Sequence, residues 1–244
     1  MDRLLEVCVD STFSLEAALE GGADRIELCS SLGEGGLTPS YGFMKLAKKI
    51  SNIPVFALIR PRSGNFVYSK NELEIIFEDI EIAKALGADG IVCGFLNQNL
   101  EIDEALTLKA VKAASPLPFT FHRAIDVSVT SIKQSVKLLK EIGVKRILTS
   151  GKAKTAHEGL DNLKKLLEEA NNEISILAGS GINSQNVTDL LNLGIYEVHA
   201  SCSSPFAQKY GSAIKMGAQE DSSTHTDINK VRALRRAISF DQKQ

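Results

Sequence analysis

The sequence predicts an α/β fold, a single (β/α)8 TIM barrel, from a repeated pattern, the composition of the strands and the length. In four segments, a glycine at the end of a helical stretch is followed by a short turn and an apolar strand. These segments begin at Gly22, Gly87, Gly143 and Gly194. Glycine suits the left-handed backbone that ends many helices, and apolar strands are typical of a parallel sheet covered by helices. The length of 244 residues is close to the roughly 250 residues of one such barrel.

Eight strands are predicted as short apolar or β-branched runs bounded by turns. They are Leu4–Val9, Arg25–Cys29, Pro54–Arg60, Gly90–Phe95, Pro118–His122, Arg146–Ser150, Ile174–Gly179 and Glu197–Ser201. Seven helices are predicted between the strands from apolar residues at helical spacing. They are Phe13–Glu20, Ser40–Ile50, Asn71–Leu86, Ile102–Ala114, Ser128–Ile142, His157–Asn171 and Ser184–Leu193. No linker or change in composition suggests a second domain, so residues 1–244 are predicted to form one barrel domain.

The end of the chain is predicted to be a helix over 227–239, with Ile228, Val231 and Leu234 on one face. Two connections, 30–39 and 203–226, are longer than the few residues usual in such folds. Both follow strands, so both are predicted to overhang the C-terminal mouth of the barrel. Active sites of β/α barrels lie at that face.

Composition and charge exclude several classes of function. The net charge is −2, and lysine and arginine form no run, which argues against a nucleic-acid partner. The chain begins directly with a predicted strand, and no stretch approaches a membrane span. A cytoplasmic protein with no membrane partner is therefore expected, and its four cysteines would be reduced thiols. They show no CxxC spacing, so no zinc ribbon or redox pair is indicated.

The predicted strands can be phased, because side chains alternate between the two faces of a strand. When the apolar set of each strand faces the helices, the other set points into the barrel. The inward polar residues of the first, second, fifth and eighth strands are then Glu6, Cys8, Asp10, Arg25, Glu27, Cys29, Thr120, His122, Glu197, His199 and Ser201. Cys93 and Cys202 share the parity of outward residues, so both are predicted to be small core side chains.

Ionisable residues therefore gather inside the barrel, at the C-terminal ends of its strands. A barrel interior is normally packed with branched apolar side chains, and buried charge is costly unless it is paired or faces water. One interpretation is a salt-bridge network that closes the barrel, for example Glu27 with Arg60. The other, favoured by clustering at the active-site face, is a ligand site. Its candidates are Arg60, Arg62, Arg123 and His199 for an anion, and Glu27 or His122 for acid–base chemistry.

A glycine-rich turn offers a second kind of anion contact. The turn AGSGI (Ala178–Ile182) follows the seventh strand and brings Gly179, Ser180 and Gly181 to the mouth. Loops after strands seven and eight are the common phosphate-binding station of this fold, which adds Ser201. The weaker TSGK turn after the sixth strand contributes Ser150.

Cys8 and Cys29 are predicted to point inward from the first and second strands, which are neighbours in such a barrel. Two thiols on adjacent strands could share one soft ion such as Cu(I), which thiolates select. Two small core residues in contact, or a disulfide, are the alternatives.

Several segments resemble the CutC copper-homeostasis family in chain order. They are LLEVCVDS (Leu4–Ser11), GGADRIELCSSLGEGGLTPS (Gly21–Ser40), VFALIRPRSGNFVYS (Val55–Ser69), FTFHRAID (Phe119–Asp126), ILTSG (Ile147–Gly151), AGSGI and KMGA (Lys215–Ala218). The resemblance runs from about residue 4 to 217. It implies a β/α barrel, a cytoplasmic location, a role in copper handling and Cu(I) binding at Cys8 and Cys29.

Two hypotheses follow from the sequence. In the first, the protein binds Cu(I) through Cys8 and Cys29. In the second, it is an enzyme acting on a small phosphorylated or carboxylated metabolite, with His122 or Glu27 transferring protons and the arginines holding the anion. A homodimer through apolar faces of the outer helices is left open.

Overall fold

The computed structural model describes residues 3–205 and 224–240. Eight parallel strands follow one another around a closed barrel, and the last strand pairs with the first. The predicted (β/α)8 TIM barrel is therefore confirmed. The strands are β1 Leu4–Val9, β2 Arg25–Leu28, β3 Val55–Leu58, β4 Gly90–Cys93, β5 Phe119–Phe121, β6 Arg146–Thr149, β7 Ser175–Gly179 and β8 Glu197–Ala200.

Helices cover the outside of the barrel. They are α1 Thr12–Gly21, α2 Tyr41–Ile50, α3 Lys70–Ala85, α4 Glu104–Ala114, α5 Ala124–Val127, α6 Ile132–Ile142, α7 Leu160–Ala170, α8 Val187–Asn192 and α9 Ile228–Phe240. Side-chain caps define several starts, as in α3, where Ser69 and Glu72 form a reciprocal capping box. Glycine ends α1 and α6 in the left-handed region, with φ of 91° at Gly22 and 95° at Gly143, as the repeated pattern predicts. No described helix combines the length and apolarity that crossing a bilayer requires.

Several parts of the chain differ from the predicted elements. The predicted helices His157–Asn171 and Ser184–Leu193 begin later, at Leu160 and Val187, and the short helix α5 was not predicted. The predicted helix Ser128–Ile142 starts too early, because the Ser131 hydroxyl accepts a hydrogen bond from the backbone of Gln134 and caps α6 there. The predicted loop 203–226 contains two short antiparallel strands that the sequence did not indicate. They are β9 Ser203–Pro205 and β10 Thr224–Thr226. Residues 206–223, including the KMGA segment, lie outside the described residues.

Two apolar clusters stabilise the barrel. The larger one lies between the strands and the helices and includes Cys93 and Cys202, as the strand parity predicts. The smaller one lies inside the barrel and consists of Cys29, Phe56, Leu58 and Val92. The Phe56 ring fits there because the Cα partner of Phe56 on β4 is a glycine, Gly90.

Replacing Gly90 with alanine should destabilise the barrel by about 1–3 kcal/mol, the usual cost of overpacking a core. A Cβ at this position would lie 2.5 Å from the Phe56 ring, which has little room to move inside a closed barrel. Urea unfolding measures the change in the free energy of unfolding. The control is Gly42→Ala in α2, where nothing lies within 4 Å of the added Cβ and stability should rise slightly. Equal stability of Gly90→Ala and the parent protein would contradict this packing.

Candidate functional site

A cavity of about 250 Å³ opens at the C-terminal ends of the strands. We call it the mouth pocket. Nine of the residues that the sequence predicts for a site line it: Cys8, Glu27, Arg60, His122, Arg123, Ser180, Gly181, His199 and Ser201. Four other predicted residues, Cys29, Arg62, Ser150 and Gly179, lie outside this lining. The structure thus brings most of the predicted residues to one place.

Three potential metal ligands meet in the mouth pocket. The ligand atoms of Cys8, Glu27 and His199 all lie within 4.8 Å of one another. Strand register explains the meeting, because Cys8 on β1 is the Cα partner of Glu27 on β2. On the other side of β1, β8 pairs in parallel and places His199 beside Glu6.

The imidazole of His199 is held by a buried carboxylate. Its Nδ1 lies 2.7 Å from Oε1 of Glu6, which is only 1% exposed. Its Nε2 lies on the side of Glu27, 3.8 Å from that carboxylate. Burial disfavours a charged imidazole, but Cys8, Glu27 and Glu6 outweigh it and raise the pKa of His199 well above its usual value. A carboxylate on one ring nitrogen is the usual support of a metal-binding histidine.

A line of buried ion pairs runs from the N-terminal ends of the strands, where Arg146, Glu197 and Arg25 lie, to His199. Arg146 pairs with Glu197, and Arg25 Nη2 donates to Glu197 Oε2 at 2.7 Å. Arg25 also pairs with Glu6, which continues the line to the imidazole. Burial alone would raise the pKa of Glu6, but Arg25 and His199 lower it to about 2. We call this series of five side chains the interior ion chain.

Glu27 lies beside the interior ion chain, but its pKa is raised, whereas that of Glu6 is lowered. Burial raises the pKa of its carboxyl group to about 7, despite the opposing influence of His199 and Arg25. Its carboxyl group therefore changes protonation near neutral pH. The pair Glu27–Arg60, given above as an example of a barrel-closing salt bridge, is not formed, because Arg60 bonds to backbone carbonyls instead.

Arg60 fastens the loop 30–39 over the mouth. Its Nη1 donates to the carbonyls of Glu34 and Gly36 at 3.0 Å each, and its Nη2 donates to Gly64 O at 2.8 Å. The backbone N–H of Arg60 also donates to Thr38 Oγ1 at 2.9 Å. These bonds hold the charged guanidinium group in a buried position at the edge of the mouth pocket.

The other predicted anion-binding residues outside the lining have partners of their own. Arg62 pairs with Glu72 and donates to the carbonyls of Asn65 and Val67. Ser150 Oγ donates to Ala153 O at 2.6 Å. Gly179 packs against β6, where an added Cβ would lie 2.7 Å from Leu148.

Cys29 faces the barrel interior but is sealed beneath the loop 30–39. It is 0% exposed, and its Sγ donates to Val9 O at 3.4 Å. Burial, followed by the nearby Cys8, raises the pKa of the Cys29 thiol well above its usual value. The two inward thiols therefore differ: Cys8 lines the mouth pocket and Cys29 lies behind it.

Comparison with known proteins assigns the chain to a family. A model of the CutC family matches residues 3–204. This chain belongs to the CutC family. The copper homeostasis protein cutC homolog of Homo sapiens is 44% identical over 239 residues, which cover 95% of this chain and 87% of that protein. The family protein CutC of Aliivibrio fischeri (strain MJ11) is 42% identical and covers 98% of this chain and 100% of its own length.

Solved structures agree with this assignment. The crystal structure of CutC from Streptococcus agalactiae matches with a TM-score of 0.77 at 36% identity, covering 82% of this chain and 98% of that chain. A thiamine phosphate pyrophosphorylase from Pyrococcus furiosus matches with a TM-score of 0.58 at 18% identity. The second likeness shows the barrel fold alone.

Sequence reasoning missed part of the mouth pocket of this CutC family member. Leu32, Gly35, Phe66 and Ile182 line the pocket from loops. Strand alternation says nothing about loop residues, so no periodic signal pointed to them. Phe66 lies in the quoted segment VFALIRPRSGNFVYS, where an aromatic residue directly after the turn-forming run Ser63-Gly64-Asn65 was the available signal.

His122 lines the mouth pocket as a neutral side chain. Its Nδ1 accepts a hydrogen bond from the backbone N–H of Ala124 at 3.3 Å, and its ring lies against Phe66 with centroids 4.7 Å apart. Burial, helped by the positive charge of Arg60, lowers the pKa of His122 to about 3.

Replacing His122 with phenylalanine should reduce the acid sensitivity of the fold. Below about pH 6.5 the histidine takes up a proton in the unfolded chain but not in the folded protein, so stability is lost as the pH falls. The loss is about 1.4 kcal/mol per pH unit and continues toward the folded pKa of about 3. Urea unfolding of both proteins between about pH 7 and 4 measures their free energies of unfolding. As the pH falls, the free energy of unfolding of His122→Phe should rise relative to that of the parent. A constant difference across that range would mean that folded His122 binds the proton.

Proposed function

We propose that this protein acts in copper homeostasis and binds Cu(I) in the mouth pocket. Its relatives from Homo sapiens and Mus musculus carry the name copper homeostasis protein cutC homolog. The observation that carries the proposal is the meeting of Cys8, Glu27 and His199 within 4.8 Å. We place the protein in the cytoplasm, where thiols stay reduced, because all four cysteines are free thiols.

Cys8 and Cys29 are the proposed thiolate ligands, and His199 is a third donor. Cu(I) is a soft ion that thiolates select, and imidazole also suits copper. Cys8 lies nearest to the other donors, whereas Cys29 is close enough for Cys8 to affect its pKa. Glu27 offers a hard oxygen, which suits Cu(I) poorly, so it serves better as a neighbour that accepts a proton.

Binding of Cu(I) would displace protons from this site. Both the Cys29 thiol and the His199 imidazole have pKa values well above their usual ones, and a ligand must lose its proton before it holds a metal. The affinity for Cu(I) should therefore rise with pH. Glu6, bonded to His199 Nδ1 at 2.7 Å, keeps the imidazole oriented with Nε2 toward Cys8 and Glu27.

The enzyme hypothesis receives less support from the contacts. It assigns the anion to Arg60, Arg62 and Arg123, and of these Arg60 and Arg123 line the mouth pocket whereas Arg62 does not. The guanidinium group of Arg62 is occupied by Glu72 and by loop carbonyls. The expectation of a homodimer stays a prediction.

The double substitution Cys8→Ser with Cys29→Ser should abolish tight Cu(I) binding. Cys8→Ser alone should weaken it by roughly a hundredfold or more, since even the loss of an outer-shell partner costs about 10–100-fold in metal affinity. Titration against a competing Cu(I) chelator under reducing conditions measures both. Cys93→Ala is the matched control, because Cys93 belongs to the outer core and should leave the affinity unchanged. Parent-like affinity of the double variant would refute the proposed ligands.

A further inference from the structure

The mouth pocket contains a buried hydrogen-bond donor that meets no acceptor. His122 is 5% exposed, and its Nδ1 accepts from the backbone N–H of Ala124. A backbone N–H can only donate, so the single proton of the neutral imidazole lies on Nε2. Within residues 3–205 and 224–240, this Nε2 has no hydrogen-bond partner. Buried donors in native proteins are normally satisfied, so the geometry calls for an acceptor from beyond the described residues.

The positive charge of Arg60 lies next to this donor, and no carboxylate of the described residues pairs with it. Arg60 is 5% exposed, and its Nη atoms donate to the carbonyls of Glu34, Gly36 and Gly64. The ring of Phe66 contacts both Arg60 and His122. Its centroid is 5.0 Å from Arg60 Cζ and 4.7 Å from the centroid of the His122 ring. Carbonyl dipoles solvate the guanidinium group but do not neutralise it, so this wall of the pocket favours an anion.

The size and the remaining walls of the pocket restrict which anion fits. The cavity of about 250 Å³ is smaller than the roughly 300–1,000 Å³ of sites for drug-sized ligands. Leu32, Leu58, Leu148 and Ile182 supply apolar surface. A phosphate dianion needs several donors, whereas the uncommitted buried donors of the described residues on this wall are two, His122 Nε2–H and Arg60 Nε–H. The Nη groups of Arg60 already donate to loop carbonyls.

We propose that the mouth pocket binds a small monocarboxylate. One carboxylate oxygen accepts from His122 Nε2–H beside the charge of Arg60, and the short apolar part of the molecule packs against Phe66 and the aliphatic side chains. This site uses a different wall from Cys8 and His199, so it does not depend on Cu(I) binding. The depressed pKa of His122 agrees with it, because the neutral ring donates from Nε2 over the whole physiological range.

Calorimetric titration of the copper-free, reduced protein with propionate and pyruvate tests the proposal. Both carboxylates should bind, and propionamide, which has the shape of propionate without its charge, should bind at least tenfold more weakly. His122→Phe should weaken propionate at least tenfold. The matched control is His157→Phe at an exposed histidine paired with Asp189, which should bind propionate as the parent does. Inorganic phosphate should bind more weakly than either carboxylate.

A measurement on the unmodified protein tests the proposal even if His122→Phe fails to fold. Propionate should shift the ¹⁵N resonance of His122 Nε2 and leave that of His157 in place. The proposal is overturned if neither carboxylate produces heat or a shift, if His122→Phe binds propionate like the parent, or if phosphate binds more tightly. All titrations are made without metal, so a failure of the Cu(I) proposal does not alter their outcome.

Discussion

One buried carboxylate, that of Glu6, connects the interior of the barrel to the mouth pocket. One of its oxygens meets Arg25 and the other meets His199 Nδ1. This is possible because β1 lies between β2 and β8, so its inward side chains reach both neighbours. Buried ion pairs hold only while every partner is present. The orientation of the imidazole that faces Cys8 and Glu27 therefore depends on charges placed deeper in the barrel.

The fold and the inward side chains could be predicted because both rest on local, periodic signals. Glycine-capped helix ends repeat along the chain, and side chains alternate along each strand regardless of distant contacts. Alternation placed Glu6, Cys8, Glu27 and His199 inside the barrel before any contact was known. Which of them meet depends on register, a non-local property: Cys8 stands opposite Glu27, whereas Cys29 lies beyond that pair.

Loops were less predictable because their conformation depends on contacts between distant segments. Arg60 and Arg62 are two residues apart and look alike in sequence, yet one is drawn inward by the carbonyls of Glu34 and Gly36 and the other outward by Glu72. The same limit applies to Phe66, whose ring completes the pocket from a loop. Residue type indicated the chemistry there, but only tertiary structure indicates where each side chain lies.

The sealed position of Cys29 protects its thiol from oxidants. Oxidants such as peroxides attack the thiolate form of an accessible cysteine. Cys29 is 0% exposed, and its proton is retained and shared with the Val9 carbonyl. One sulfur of the inward pair is thus shielded from chemical damage, and a protein whose pocket-lining Cys8 has been reversibly oxidised still keeps an intact second thiol.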